Sequence, residues 1–311
     1  MQDIEINFFG TNNFAAVILK GLINDPLFKI VQVITMPDRP VGRKKEIKAS
    51  LVKQIALDNG LDVVQPDNLK DFSLVSNNLN IVADYGMIIP QKIVDAPKYG
   101  SINVHPSKLP KYRGASPIQS AILHGETKSA ITIMLMDAKM DHGPILSQQE
   151  VEIDADIQSP QLNQKMAEIA SKLLLKTVPE YINGQIKPIV QNDDDATFCS
   201  LLKKEDGLID LNKKAVEIYN QFRAMQPWPG VYLVIKSTDK KYCGKKLKIV
   251  DMYYSDKNIV KGLLNFDSSN VYIGCANGSI VIKKLQLEGK KKMDSISFMN
   301  GYGNLNNVKL F

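Results

Sequence analysis

The residue types best suited to chemistry lie in the segment INVHPSKLPKYRGASPIQSAI, residues 102–122. Its apolar start predicts the end of a buried strand, and the prolines and glycine that follow predict a loop. Asn103 and His105 are two residues apart, so along a strand their side chains point to the same face. An amide can donate to a developing oxyanion, and an imidazole can move a proton near neutral pH. The alternative is that both side chains only cap the strand end.

A second segment, ITIMLMDAKMDHGPIL at residues 131–146, predicts a strand, an acidic loop and another strand. The loop carries Asp137 and Asp141. A carboxylate delivered by a loop at the end of a neighbouring strand could orient the imidazole or take up a proton through water. Asn, His and Asp with no obvious nucleophile beside them favour direct transfer of an acyl group to an amine.

Residues 1–189 predict an α/β domain that positions these side chains. Alternating apolar segments predict strands at residues 5–9 and 28–35 and near residues 81, 102 and 132, with helices at residues 11–25 and 50–60, near residues 91 and 116, and at residues 160–182. Strand, helix and strand in succession form a parallel unit. We therefore expect a Rossmann-like, mainly parallel sheet whose helices cover it.

The carboxyl-terminal third has a different pattern. Residues 190–206 have no apolar period and contain three consecutive aspartates, which predicts a linker to a second domain at residues 207–311. That domain opens with an amphipathic helix, for which we expect Ala215, Val216, Tyr219 and Phe222 to face inward. Short strands follow, and Asn277-Gly278 predicts a hairpin. Such strands favour a small β-barrel.

Composition limits the class of protein. A chain of 311 residues suggests two domains. No apolar run approaches the length of a membrane span, and the first residues predict a strand rather than a signal peptide. The three cysteines are widely spaced and indicate reduced thiols in a cytoplasm, and the three histidines lack ligand spacing, so we expect no metal.

Charge is unevenly distributed along the chain. Residues 201–311 hold 19 Lys and Arg against 10 Asp and Glu, whereas the remainder holds 20 against 23. A basic region beside a mildly acidic body favours a polyanionic partner. The alternative is a solvated, lysine-rich surface, which composition alone would favour.

A basic segment, MPDRPVGRKKEIKAS, follows the second predicted strand. It has no apolar period, so we expect an exposed loop. Arg39, Arg43, Lys44 and Lys45 could contact phosphates or base edges there. The alternative is a solvated connection between elements.

The two chemical segments together match a known pattern. N-x-H-x-S-x-L-P-x-Y-R-G-A-x-P-I-Q, followed by T-I-M-x-M-D-x-x-x-D-x-G, resembles the folate-dependent formyltransferases. The similarity extends to FFGTNNFA at residues 8–15, YGMIIP at 85–90, QPWPGVY at 226–232 and GKKKM at 289–293. This resemblance implies 10-formyl-tetrahydrofolate as co-substrate and no metal. It also implies that the second domain is an OB-like barrel.

The resemblance assigns roles to particular residues. Asn103, His105 and Asp141 would be catalytic, with Asp141 preferred to Asp137 because the D-x-G pattern falls on it. Folate binding would involve Tyr85, Gly86, Ile89, Ser107, Lys108, Leu109 and Pro110. Asp84, Lys108 and His142 depart from the family pattern.

The segments MPDRPVGRKK and QPWP are more specific to members that act on tRNA. They imply initiator methionyl-tRNA as the partner. For the enzyme itself we expect a monomer in the cytoplasm without membrane association. The basic side chains expected to bind it are Arg39, Arg43, Lys44, Lys45, Lys290, Lys291 and Lys292.

Three other functions stay open at this point. One is a formyltransferase of the same fold that acts on an amino-sugar nucleotide or on glycinamide ribonucleotide, which would not need the two basic regions. Another is a hydrolase that passes the formyl group to water. The third is a tRNA-binding module without activity, against which the complete set of Asn103, His105 and Asp141 argues.

Overall fold

The computed structural model describes residues 3–41, 46–267 and 269–311, without the side chains of residues 40, 41 and 46. The chain divides into two compact units. The first comprises Met1–Pro117, Lys128–Ile153 and Gln161–Ser200, and the second comprises Ile118–Thr127, Asp154–Pro160 and Leu201–Phe311. Within the described part of the chain, none of the helices has the length and apolar character needed to cross a membrane.

The first unit is built on one large sheet. The strands of this unit are β1 (Ile4–Gly10), β2 (Phe28–Ile34), β3 (Arg39–Val41), β4 (Glu46–Lys48), β5 (Val63–Val64), β6 (Leu79–Ala83), β7 (Ser101–His105), β8 (Arg113–Gly114), β9 (Lys128–Leu135), β10 (Ile145–Glu152) and β11 (Phe198–Cys199). The large sheet has the order β10-β9-β7-β6-β1-β2-β5. From β7 to β5 all neighbours are parallel, whereas β9 is antiparallel to both β7 and β10. This confirms the predicted α/β fold with a mainly parallel sheet.

Helices form where apolar side chains recur at helical spacing. The helices of the chain are α1 (Asn13–Asn24), α2 (Leu51–Asp58), α3 (Gln91–Val94), α4 (Pro117–Leu123), α5 (Ser159–Ile182), α6 (Ala215–Ala224) and α7 (Ser295–Gly301). In α1, Phe14, Ile18 and Leu22 are four residues apart and fully buried or nearly so, because residues at this spacing share one face of a helix. The Ser50 side chain caps α2 by accepting a hydrogen bond from the Lys53 backbone N–H at 3.1 Å.

The described part of the basic segment after β2 contains two short strands where its composition predicts a loop. β3 and β4 form an antiparallel hairpin in which Arg39 pairs with Lys48. Each strand is only three residues long, too short to show a period in the sequence. Arg39 is exposed, whereas Arg43, Lys44 and Lys45 lie outside the described residues.

The predicted linker contains more regular structure than its sequence indicates. A 3-10 turn at Asp193–Asp195 is followed by β11, and a second turn spans Lys204–Gly207. β11 pairs in parallel with β8, so that Phe198 is opposite Arg113. Because this ladder joins residues far apart in the chain, no local pattern could have revealed it.

The second unit contains a closed barrel. The strands of this unit are β12 (Val231–Lys236), β13 (Lys246–Ser255), β14 (Leu263–Phe266), β15 (Val271–Gly274), β16 (Ser279–Leu287), β17 (Met293–Asp294) and β18 (Val308–Leu310). Their order is β13-β12-β18-β14-β15-β16-β17, and a further pairing of β13 with β16 closes the barrel. The Asn277-Gly278 turn joins β15 to β16, with Gly278 at φ +77°. Both the small barrel and this hairpin were predicted correctly.

The helix α6 packs on the barrel core, although one residue faces the other way from our expectation. Ala215, Ile218 and Phe222 are buried in the core cluster of this unit. Val216, which we expected to face inward, is 40% exposed. The buried stripe follows positions i, i+3 and i+7 from Ala215, and Val216 lies one residue outside it.

Candidate active site

Asn103 and His105 lie on β7 and meet the Asp141 carboxylate. Asn103 Nδ2 donates to Asp141 Oδ1 at 3.0 Å, and His105 Nδ1 lies 3.7 Å from the same oxygen. The side chains of His105 and Asp141 are only 5% and 12% exposed. The structure therefore brings together the three residues predicted to be catalytic, in a site largely shielded from water.

Asp141 lies on the loop that follows β9, the antiparallel neighbour of β7. Ile102 pairs with Leu135 across the antiparallel ladder, so β9 ends beside the start of β7 and not beside His105. The loop after β9 must therefore return across the strand to present Asp141 to Asn103. Gly143 permits this return, because a Cβ at that position would collide with the carbonyl oxygen of Leu135.

A backbone carbonyl determines which nitrogen of His105 faces the carboxylate. His105 Nε2 lies 3.0 Å from the Tyr112 carbonyl oxygen. A carbonyl only accepts hydrogen bonds, so Nε2 carries a proton and donates it to this bond. Nδ1 is then the nitrogen that can gain or release a proton, and it is the nitrogen nearest to Asp141. The site is thus arranged for proton transfer at Nδ1.

A second donor holds the other oxygen of Asp141. The Gly114 backbone N–H donates to Asp141 Oδ2 at 2.8 Å, so each carboxylate oxygen has its own partner. Asp141 has φ +50°, and Tyr112 has φ +61°. Left-handed conformations are unfavourable for such side chains and are concentrated at functional sites. The left-handed conformations of Tyr112 and Asp141 thus place the Asp141 carboxylate against its two donors.

Sequence reasoning missed two buried residues near the carboxylate. Gln191 is 7% exposed and Arg113 is 4% exposed. Arg113 Nη2 donates to Gln191 Oε1 at 2.9 Å, and Gln191 Nε2 donates to the carbonyl oxygens of Asp141 and Gly143. Gln191 lies in the aperiodic linker, where no sequence signal distinguishes it from a solvated residue.

His142 does not compete with His105 for the carboxylate. Its Nδ1 forms a hydrogen bond with Asp137, and its Nε2 lies 3.4 Å from Asp193 Oδ2. A hydrogen bond from Arg113 lowers the pKa of Asp193 below its usual value. His142 therefore bridges Asp137 and Asp193, two acidic side chains other than Asp141.

The residues predicted to bind folate after β6 border an apolar cluster. Tyr85 and Ile89 pack, together with Met87 and Met136, on a buried group that contains Phe9. Burial raises the pKa of Tyr85 to about 12, so its phenol is neutral at physiological pH. Gly86 is exposed beside Tyr85, and any Cβ there would lie 3.4 Å from the sulfur of Met36.

The Tyr85 hydroxyl and the Thr11 hydroxyl are buried and meet no hydrogen-bonding atom among the described residues. Asp84, which departs from the family pattern, has φ +46° and accepts a hydrogen bond from Asn12 Nδ2 at 3.3 Å. Buried polar groups without partners are uncommon in proteins, so both hydroxyls require a partner that the described residues do not supply.

The other segment predicted to bind folate is mostly structural in its contacts. Ser107 is fully buried, and its hydroxyl donates to the Lys111 carbonyl oxygen at 2.6 Å. Leu109 is 3% exposed, and Pro110 is half-buried. Lys108 is exposed and pairs with Glu150 at 2.7 Å, a type of surface ion pair that contributes little to stability.

The base of the β3–β4 hairpin is firmly attached to the sheet unit. Lys53 Nζ lies 2.6 Å from Asp38 Oδ2, and Gln65 Nε2 donates to Asp38 Oδ1 at 2.8 Å. The hydrogen bond from Lys53 lowers the pKa of Asp38. The exposed Arg39 directly follows this anchor.

Basic side chains of the second unit lie on the outer surface of the barrel. Lys290, Lys291 and Lys292 are exposed in the turn between β16 and β17. Gln286 Nε2 fixes this turn by donating to the Lys290 carbonyl oxygen at 2.7 Å. Other lysines lie over tyrosine rings, with ammonium-to-centroid distances of 4.2 Å for Lys246 over Tyr232, 4.5 Å for Lys257 over Tyr272 and 5.0 Å for Lys283 over Tyr253.

Known structures share this architecture. A sugar 3N-formyl transferase, WlaRD, determined with dTDP and 5-N-formyl-THF, matches with a TM-score of 0.66 and 21% identity, covering 94% of this chain and 100% of the other. The N-formyltransferase from Helicobacter canadensis, in complex with folinic acid and dTDP-3-aminofucose, matches with a TM-score of 0.67 and 22% identity, covering 93% and 100%. At these identities the likeness establishes the fold.

Proteins related in sequence identify the family. A methionyl-tRNA formyltransferase of Caldicellulosiruptor saccharolyticus is 41% identical, with 96% of this chain and 97% of the relative covered. One from Sulfurimonas denitrificans is 38% identical, with 96% and 97% covered. The family model described as formyl transferase matches residues 4–178, and the model of the formyl transferase C-terminal domain matches residues 201–303. The chain therefore belongs to the formyl transferase family.

Proposed function

We propose that this chain transfers a formyl group from 10-formyl-tetrahydrofolate to the α-amino group of methionyl-initiator tRNA. The observation that carries the proposal is the Asp141 carboxylate, which one amide and one imidazole approach together. This set can accept a proton from an amine and stabilise a developing oxyanion. Formyl transfer to an amine needs both actions.

The folate supplies the formyl group, and the protein side chains handle protons and charge. The methionyl amine must lose a proton as it attacks, and Asp141 takes up that proton through a water molecule. Asn103 uses one amide N–H for Asp141 and has a second N–H for the oxyanion. A protonated His105 donates a hydrogen bond from Nδ1 to the oxyanion. It can then protonate the folate nitrogen as the bond from that nitrogen to the formyl carbon breaks. One oxyanion donor is worth roughly a hundredfold or more in turnover.

The apolar cluster around Tyr85 fits the ring system of a folate. Its half-buried members, Tyr85, Met87, Ile89 and Met136, offer flat and flexible apolar surface next to the buried Phe9. The hydroxyls of Thr11 and Tyr85 lack partners among the described residues and would satisfy polar ring atoms. A mainly apolar lining with a few convergent polar groups is typical of small-molecule sites.

Two basic regions support tRNA as the acceptor. The β3–β4 hairpin presents Arg39 from an anchored base, and Arg43, Lys44 and Lys45 belong to the same segment of the sequence. We propose that this hairpin contacts the acceptor end of the tRNA and that the barrel, with Lys290–Lys292, binds its phosphates. Among the described residues, Cys199, Cys243 and Cys275 form no disulfide, in keeping with the reducing cytoplasm where translation takes place.

Binding to tRNA should depend on salt through the barrel lysines. Replacement of Lys290, Lys291 and Lys292 by glutamine should weaken binding of initiator and elongator tRNA alike. Each lost phosphate contact should flatten the log–log dependence of affinity on salt by about 0.7 to 0.9 units, because fewer counterions are released. Binding titrations at several salt concentrations measure this slope.

The matched control removes three positive charges from the first unit instead of the barrel. Lys172, Lys176 and Lys187 are exposed in the first unit, and their replacement by glutamine should leave the slope unchanged. Equal slopes for the two triple variants would show that the turn between β16 and β17 does not contact phosphates.

The function itself is tested with labelled 10-formyl-tetrahydrofolate and a panel of acceptors. We expect the label on initiator methionyl-tRNA, with less on elongator methionyl-tRNA. An amino-sugar nucleotide, glycinamide ribonucleotide and water alone complete the panel. Preferential labelling of either small acceptor, release of free formate, or tRNA binding without transfer would each replace our proposal with the corresponding alternative.

A further inference from the structure

A single buried amide holds the loop between β9 and β10, here called the catalytic loop, on either side of His142. Gln191 Nε2 donates to the carbonyl oxygen of Asp141 at 3.0 Å and to that of Gly143 at 2.8 Å. Both hydrogens of this amide are therefore used on the loop that presents the catalytic carboxylate. At 7% exposed, Gln191 makes these bonds out of contact with bulk water, where they are stronger than on the surface.

The orientation of this amide is itself fixed by Arg113. Arg113 Nε and Nη2 donate to Gln191 Oε1 at 3.1 and 2.9 Å. A guanidinium only donates, so the amide oxygen must face Arg113 and the amide nitrogen must face the loop. Arg113 is in turn 4% exposed and pairs through Nη1 with Asp193 at 2.9 Å. The contacts from Asp193 through Arg113 to Gln191 thus allow the Gln191 amide only one orientation.

The same segment also holds the carboxylate directly. Gly114, next to Arg113, donates its N–H to Asp141 Oδ2. β8 contains both residues and pairs with β11 of the linker. The backbone of Asp141 is therefore held by Gln191, and its side chain is held by Gly114, within one hydrogen-bonded assembly.

We propose that Gln191 is a positioning residue for formyl transfer and acts through the catalytic loop on Asp141. Without it, the left-handed conformation of Asp141 loses the bonds that oppose its strain, and the carboxylate drifts from Asn103 and His105. The inference rests on the proposed formyl transfer. If Gln191 acts in this way, a residue of the linker affects the rate of formyl transfer, although Gln191 itself touches no reacting atom.

Replacement of Gln191 by methionine removes the amide and keeps the length of the side chain. We expect turnover to fall roughly a hundredfold, as misplacement of a catalytic group by about an ångström does. The Michaelis constants for folate and tRNA should change far less. Gln191→Glu keeps an oxygen facing Arg113 but lacks the two N–H donors, so it should lose turnover to a similar extent while remaining folded. Gln185→Met, at an exposed position, should match the wild type.

A double-mutant cycle separates positioning from a general structural role. On a background of Asp141→Asn, measured in single-turnover conditions with excess enzyme, Gln191→Met should cause little further loss, because its target is already removed. Melting temperatures show whether each variant is folded at the assay temperature. Losses that multiply, or a Gln191→Glu variant with full turnover, would overturn the inference. A wild-type protein that transfers no formyl group would instead refute the proposed function.

Discussion

Replacement of His105 by alanine should lower turnover by roughly a hundredfold or more, which is the usual contribution of a general acid or base. Asp141→Asn should lower turnover by at least the same factor. An amide cannot take up the proton of the amine, and its NH₂ group would face one of the two donors, Asn103 and Gly114, that the carboxylate accepts. Formyl transfer to initiator methionyl-tRNA, measured at saturating folate, gives the comparison.

The binding of tRNA separates a catalytic loss from a folding loss. Both variants should bind tRNA with nearly the wild-type affinity, because neither side chain belongs to the basic regions. His124→Ala and Asp58→Asn provide matched controls at exposed positions and should retain wild-type turnover. Near-normal turnover of either the His105 or the Asp141 variant would remove that residue from the catalytic set.

Gly114→Ala should impair both stability and turnover. Gly114 has φ +124°, a conformation that L side chains rarely adopt, and a Cβ there would collide with the Cys199 carbonyl oxygen. The strain alone costs about 1 to 3 kcal/mol. Relief of the collision requires β8 and β11 to separate, which moves the N–H that holds Asp141 Oδ2. Turnover should therefore fall roughly a hundredfold, together with the melting temperature.

Gly60→Ala is the control for this prediction. Gly60 has φ +68°, but nothing lies within 4 Å of the added Cβ, so this variant carries backbone strain without a collision. It should lose some stability and keep its turnover. If Gly114→Ala resembled Gly60→Ala in thermal unfolding and in turnover, the close contact between β8 and β11 would have no role in the site.

Local patterns were enough for most of the elements. Each predicted helix depends on apolar residues at a spacing that the helix itself imposes, and the Asn277-Gly278 turn depends on two residues that accept a positive φ. Val216 shows the limit of such patterns. An apolar residue at the border of a stripe can face either way, and packing on the barrel core selected Ile218 instead.

By itself, the sequence determined that Asn103 and His105 share a face, because the alternation of side chains along a strand is a local property. Only the tertiary structure decided how Asp141 reaches them, since the direction of β9 depends on its pairing with β7. The contacts of Gly114, Arg113 and Gln191 were likewise beyond sequence reasoning. They join β8, the loop that carries Asp141 and the linker through hydrogen bonds between residues 27 to 78 positions apart, and bonds over such separations leave no periodic pattern in the chain.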